Sequence, residues 1–119
     1  MINKYSLLIG IASFLVAHVL TFFQLNGQFF KTDWFRNNEF LVAASGVMVS
    51  FFYIWGTKYT VGGFNGLLWP PRFIGFGIGM VIYAIGVSYF FKEGINLKTW
   101  VSLGLSLILI LIQVFWKIK

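Results

Sequence analysis

The sequence predicts an all-α integral membrane protein with four membrane-spanning helices and short loops, and three observations carry that reading. Four apolar runs, at residues 5–23, 40–57, 73–91 and 100–116, occupy most of the 119 residues. Each has about the length needed to cross a ~30 Å hydrocarbon core at ~1.5 Å per helical residue. Hydrophobic residues make up 59% of the chain and charged residues only 10%, a balance that suits lipid rather than water as solvent. Basic residues or Trp and Tyr flank most of the runs, where headgroup anchors belong. The loops leave no room for a soluble domain. Residues 1–119 therefore read as one transmembrane domain, with any binding site between helices or in the connections.

The first run follows Lys4 and has the charge pattern of a secretory leader. It is longer than a leader's apolar core, and no small-x-small cleavage site follows it, so a retained helix is expected. After it, residues 24–39 interleave Phe29, Phe30, Trp34 and Phe35 with Lys31, Asp33, Arg36 and two asparagines. That mixture predicts a segment at the membrane interface, its first turns continuing helix one. The second connection, residues 58–72, holds Gly62, Gly63, Asn65, Gly66, Pro70 and Pro71. Such residues break helices, and the proline pair fits the first turn of helix three. The third connection, residues 92–98, is short enough to make helices three and four antiparallel neighbours, with Asn96 or Thr99 as the cap of helix four.

Helix three carries Gly75, Gly79 and Gly86 on one face. In lipid, where the hydrophobic effect does not draw helices together, such a stripe lets backbones approach and gain dispersion contacts. It serves equally for packing inside one subunit or between two. Helix two offers a fainter version in Ala43, Gly46 and Ser50. Helix four has Ser102, Gly104 and Ser106 near one end, then a branched aliphatic stretch at 107–112 suited to lipid or a partner helix.

Composition also excludes function classes. The net charge of +6 is scattered in ones and twos, which suits anionic lipid headgroups and not the concentrated basic face that nucleic acid requires. The chain has no Cys and a single His, so disulfides, thiolate metal sites and His clusters are not expected, and no metal or other cofactor is predicted. Asp33, Glu39 and Glu93 are too scattered to form a catalytic carboxylate pair. With no hydrolytic triad, phosphate loop or haem ligand set either, an enzyme is not expected. Thr60-Val61-Gly62-Gly63-Phe64 has the residue types of a potassium-channel filter in the wrong order, and a full span stands where a pore helix would be needed.

Orientation is weakly encoded. One side carries Lys4, Lys58, Arg72, Lys117 and Lys119, and the other Lys31, Arg36, Lys92 and Lys98. Five against four allows a cytoplasmic N-terminus, and it also allows insertion in both directions with an antiparallel pair of identical subunits.

Three residues stand out as substrate-binding candidates. His18 is the only ionisable residue inside a clear span; such residues are costly to bury and often functional, although one carbonyl or hydroxyl would satisfy a neutral imidazole. Arg72, beside Pro71, has the planar fork that binds phosphate or carboxylate, and equally the reach of an interfacial anchor. Gln28, with Gln24 and Asn26, either lines a polar cavity at the end of helix one or is simply solvated.

Two short stretches carry a resemblance. Phe90-Phe91-Lys92-Glu93-Gly94-Ile95-Asn96-Leu97-Lys98-Thr99 resembles the last connection of the drug/metabolite transporter superfamily, and Gly27-Gln28-Phe29-Phe30-Lys31 is similar to the motif closing helix one in its four-span members. Two branches are relevant: small multidrug resistance proteins, which are homodimers exchanging protons for cations through a helix-one glutamate, and flippase-like subunits that move lipid-linked sugars, often as pairs. Aligned on Ala17-His18-Val19, the glutamate position holds His18; aligned on Lys31, it holds Phe23 or Gln24. Neither supplies a carboxylate, and imidazolium would repel a cation, so cation export is not expected. A cavity holding both His18 and Arg72 would favour an anionic or phosphate-bearing ligand. The resemblance therefore implies a dimer, with itself or a related four-span partner, moving a small metabolite or lipid-linked sugar by alternating access in a bacterial inner membrane. The alternative is an accessory subunit that keeps the scaffold and docks on a larger membrane complex.

Overall fold

The computed structural model describes residues 4–116. Its regular elements are all helical: α1 (Lys4–Asn26), a 3-10 turn at Gly27–Phe29, short α2 (Trp34–Asn37), α3 (Glu39–Ala44), α4 (Gly46–Gly63), α5 (Trp69–Phe90) and α6 (Leu97–Phe115). α3 and α4 form one span, Glu39–Gly63, interrupted only at Ser45. Among the described residues four spans are long and apolar enough to cross a membrane, so this is a multi-pass, all-α membrane protein. Lys117 and Lys119 of the orientation count lie outside the described residues.

The second connection is shorter than its composition predicts. α4 runs on through Gly62 and Gly63, and α5 already begins at Trp69, leaving only residues 64–68 as a turn. Gly62 and Gly63 act here as contact residues rather than helix breakers. A Cβ on Gly63 would lie 2.9 Å from the Leu7 Cβ, and one on Gly62 would lie 2.8 Å from the Ser6 Oγ. Asn65 and Gly66 make the reversal with φ of 57° and 88°, the left-handed region that costs glycine least. The Gly66 amide donates to the Val61 carbonyl at 2.9 Å and closes the end of α4. Pro70 and Pro71 sit in the first turn of α5 as expected, where the missing amide hydrogens have no partner to lose.

The tightest interface joins α1 to α4. Leu7, Gly10, Phe14, Ala17, Thr21 and Gln24 alternate at spacings of three and four, and so do Gly46, Val49, Tyr53, Gly56, Thr60 and Gly63. That 3-4 pattern is the seam of left-handed, coiled-coil-like packing. The contacts run antiparallel: Leu7 meets Gly63, Gly10 meets Thr60 and Gly56, Phe14 meets Gly56, and Gln24 meets Gly46. Thr60 is fully buried, its hydroxyl donating back to the Gly56 carbonyl at 2.6 Å, so the close approach leaves no polar group unpaired. Of the fainter small-residue face expected on helix two, only Gly46 is used; Ala43 and Ser50 are exposed. The glycines and threonine of the seam, further along the helix, take that role because they face α1.

α5 packs on another side of α1 through its glycine stripe. Gly75 faces Phe14, Gly79 faces His18 and Gly86 faces Phe22. The stripe is therefore an intramolecular contact, a row of gaps that receives the large side chains at every fourth position of α1. Gly77, on the opposite side of α5, receives Ile110 of α6 instead. α6 begins with a true cap: the Asn96 side chain accepts from the Thr99 amide at 2.9 Å. No residue of α6 is buried. The Cα trace is only 17 Å thick in its thinnest direction, less than two helix diameters.

The interfacial segment is held by Arg36. Its guanidinium donates to the Gln28 and Phe30 carbonyls at 2.8 and 2.9 Å and pairs with Asp33. Phe30 thereby stacks on Phe91, with ring centroids 5.3 Å apart.

Candidate functional site

Phe14 is the wedge that creates the site. Its buried ring contacts Gly56 of α4 and lies within ordinary van der Waals distance of the Gly75 position of α5. Beside it, α4 and α5 diverge and leave a cleft of about 740 Å³, within the ~300–1,000 Å³ range of small-molecule sites. The wall is mostly apolar, with Phe14, Leu68, Phe76 and Met80; its polar groups come from His18, Tyr53, Thr57, Arg72 and Tyr83. Arg72 stands in the first turns of α5, at the membrane-surface end. His18 is seven α5 residues deeper, opposite Gly79, or about 10 Å along the helix.

His18 belongs to a three-membered polar chain. Its Nδ1 is 3.3 Å from the Tyr53 hydroxyl, which is 2.8 Å from the Thr21 hydroxyl. The Tyr53 ring meets the imidazole edge-on, centroids 5.2 Å apart. Tyr53 has one proton to give. With neutral Nδ1 as acceptor, Tyr53 donates to His18 and Thr21 donates to Tyr53. With Nδ1–H as donor, the order reverses: His18 donates to Tyr53, and Tyr53 donates to Thr21. The same three side chains thus satisfy both protonation states of the imidazole without losing a bond.

A second, smaller cavity of about 90 Å³ lies on the other side of this residue, reaching Leu25 and Asn26 near the opposite end of α1. His18, Gly79 and Tyr83 line both cavities. Beyond them an aromatic cluster lies at the far end of the bundle: Phe22 lies among Phe23, Tyr83, Phe90 and Phe91, with ring centroids 5.5 to 6.4 Å apart. The large cleft thus lies toward the Arg72 end and the aromatic cluster toward the other, with a further apolar cavity of about 240 Å³ beside Phe22 and Phe90.

His18 and Arg72 therefore share one cleft, whereas Gln28 lines neither cavity. It sits on the 3-10 turn after α1 and donates to the Leu25 carbonyl at 2.8 Å. Gln24 and Asn26 likewise donate to main-chain carbonyls, of Val42 and Phe22 respectively, although Asn26 also borders the small cavity. Tyr53, Thr57 and Tyr83 were not among the sequence candidates. Tyr53 had a usable cue: a phenol hydroxyl in the middle of a span needs a partner in lipid. Among the described residues no group of three or more His, Asp or Glu side chains is placed to hold a metal ion.

Compared with family models, curated proteins and solved structures, the chain gives no match.

Proposed function

We propose that this protein is a four-span transporter that moves a small metabolite or lipid-linked sugar across the membrane by alternating access, acting as a homodimer. One observation carries the reading: His18, Gly79 and Tyr83 line both a large cleft that reaches Arg72 and a small cavity that reaches Asn26, toward opposite ends of the bundle. Alternating access requires a site that opens to one side at a time, one side closing as the other opens. The aromatic cluster around Phe22 is the closed gate, and rotation of rings around flat glycine contacts opens it. The unburied α6 is the surface available to the second subunit. Two short sequence stretches similar to the drug/metabolite transporter superfamily favour the same reading, and with it a bacterial inner membrane as host.

The test uses the absence of native cysteine. Thr57→Cys, inside the large cleft, is reconstituted in one orientation and exposed to a membrane-impermeant thiol reagent from each face in turn. Transport predicts labelling from both faces. It also predicts that cross-linking Phe22→Cys to Phe90→Cys, whose native rings are 6.1 Å apart, with Thr57→Cys labelled in the same chain after oxidation, confines labelling to the Arg72 face. Labelling from that face alone in the uncross-linked protein would defeat the transporter reading and favour an accessory subunit.

A further inference from the structure

We propose that protonation of His18 completes, together with Arg72, a binding site for an organic anion, so that one proton is taken up with each anion bound. This deepens the transport reading, and rests on it for the conclusion that proton and anion cross the membrane together.

The argument starts from charge. The chain has three acidic residues, Asp33, Glu39 and Glu93, and none lines the cleft. Asp33 is paired with Arg36 in the interfacial segment. Glu39 opens α3, and Glu93 lies past the end of α5 beside Ser88. Tyr53 of α4 contacts His18 and is bonded in turn to Thr21, and the other polar groups lining the same cleft are Thr57 of α4 and Arg72 and Tyr83 of α5. No protein carboxylate is there to balance an imidazolium, while a fixed cation already stands at the mouth. A charge taken out of water requires a partner. The partner that fits has negative charge near Arg72 and His18 and an apolar, preferably aromatic, body against Phe14, Phe76 and Met80.

The hydrogen-bond chain supplies the second half. Thr21, Tyr53 and His18 reverse their donor order when His18 gains a proton, so protonation need not break the packing between α1 and α4. The added proton goes to the ring, and the positive charge it brings is met by the anion. The complex then carries the same net charge as the empty, neutral-His18 form, so loading adds no unpaired charge to the cleft. Cation–proton exchange would need the opposite arrangement, a carboxylate that holds either species.

The probe is 1-naphthalenesulfonate, whose charge does not change over pH 5 to 8, so any pH dependence belongs to the protein. Binding to the full chain in detergent micelles is followed by calorimetry in two buffers of different ionisation enthalpy, which counts protons directly. At the alkaline end of this range the expected result is uptake of about one proton per anion, with a Kd that rises toward about tenfold for each unit of rising pH above the imidazole titration. His18→Gln should flatten the pH dependence. Arg72→Gln should weaken binding about tenfold or more at every pH while keeping the slope. Zero proton uptake by the wild type, proton release, or preferential binding of 1-naphthylmethylammonium would overturn the proposal. Proton-linked anion binding without flux in proteoliposomes would uphold this inference and defeat the transport reading. Flux of the ammonium compound without anion binding would do the reverse.

Discussion

Adding a single methyl group at Gly10 probes how the α1–α4 seam is held together. The new Cβ would lie 2.5 Å from the Thr60 Cγ2, 2.6 Å from the Thr60 amide nitrogen and 3.0 Å from the Gly56 carbonyl oxygen. Two of those atoms are helix backbone and cannot rotate aside, so the helices must separate by about 1 Å. A gap of that size forfeits roughly a quarter to a half of the dispersion well for each contact it opens, and overpacking of this kind costs about 1–3 kcal/mol. The ratio of folded to unfolded protein should fall about 5- to 150-fold. Two controls isolate the packing effect. At Gly75 the Cβ would meet Phe14 at 3.5 Å, an ordinary contact, and at Gly104 it would meet nothing within 4 Å. All three Gly→Ala changes share the same gain in intrinsic helix preference, so differences between them report packing. Equilibrium unfolding in mixed micelles should rank Gly10→Ala well below Gly75→Ala and Gly104→Ala. Equal stability of the three would refute the claim that backbone contact holds the seam.

Two further outcomes follow from single hydrogen bonds. Tyr53→Phe keeps the ring against His18 and removes only the hydroxyl that joins it to Thr21; the expected loss is about 0.5–1.5 kcal/mol, with a changed imidazole resonance in NMR, and an unaltered resonance would count against the three-membered chain. Asn96→Ala removes the cap of α6 and should cost about 1 kcal/mol, seen as faster amide hydrogen exchange at Thr99 with the rest of the bundle unchanged.

Much of the fold was legible because lipid imposes strict rules. A spanning segment must satisfy its own backbone polar groups, so four apolar runs implied four helices, and the Pro-Pro pair and Asn96 marked two of their starts. The end of α4 was misplaced because Gly62 and Gly63 have two uses, breaking a helix or admitting a neighbour, and only the presence of Leu7 and Ser6 chose the second. The same ambiguity hung over Gly75, Gly79 and Gly86 until Phe14, His18 and Phe22 were seen to fill the gaps. At the candidate site, His18 and Arg72 stood out as charges out of place. Tyr53, which links His18 to Thr21, looked like any span aromatic.

The sequence alone determined the class: length, hydropathy and scarcity of charge dictate a four-span bundle whatever its packing, since burial in lipid depends on composition summed along each helix. Tertiary structure alone decided which polar groups share a cleft. His18 and Arg72 are 54 positions apart in the chain. Their common cleft depends on how α1 and α5 are rotated about their axes. That rotation is set by flat glycine surfaces fitting particular bulky side chains, a matter of shape between helices to which hydropathy is blind.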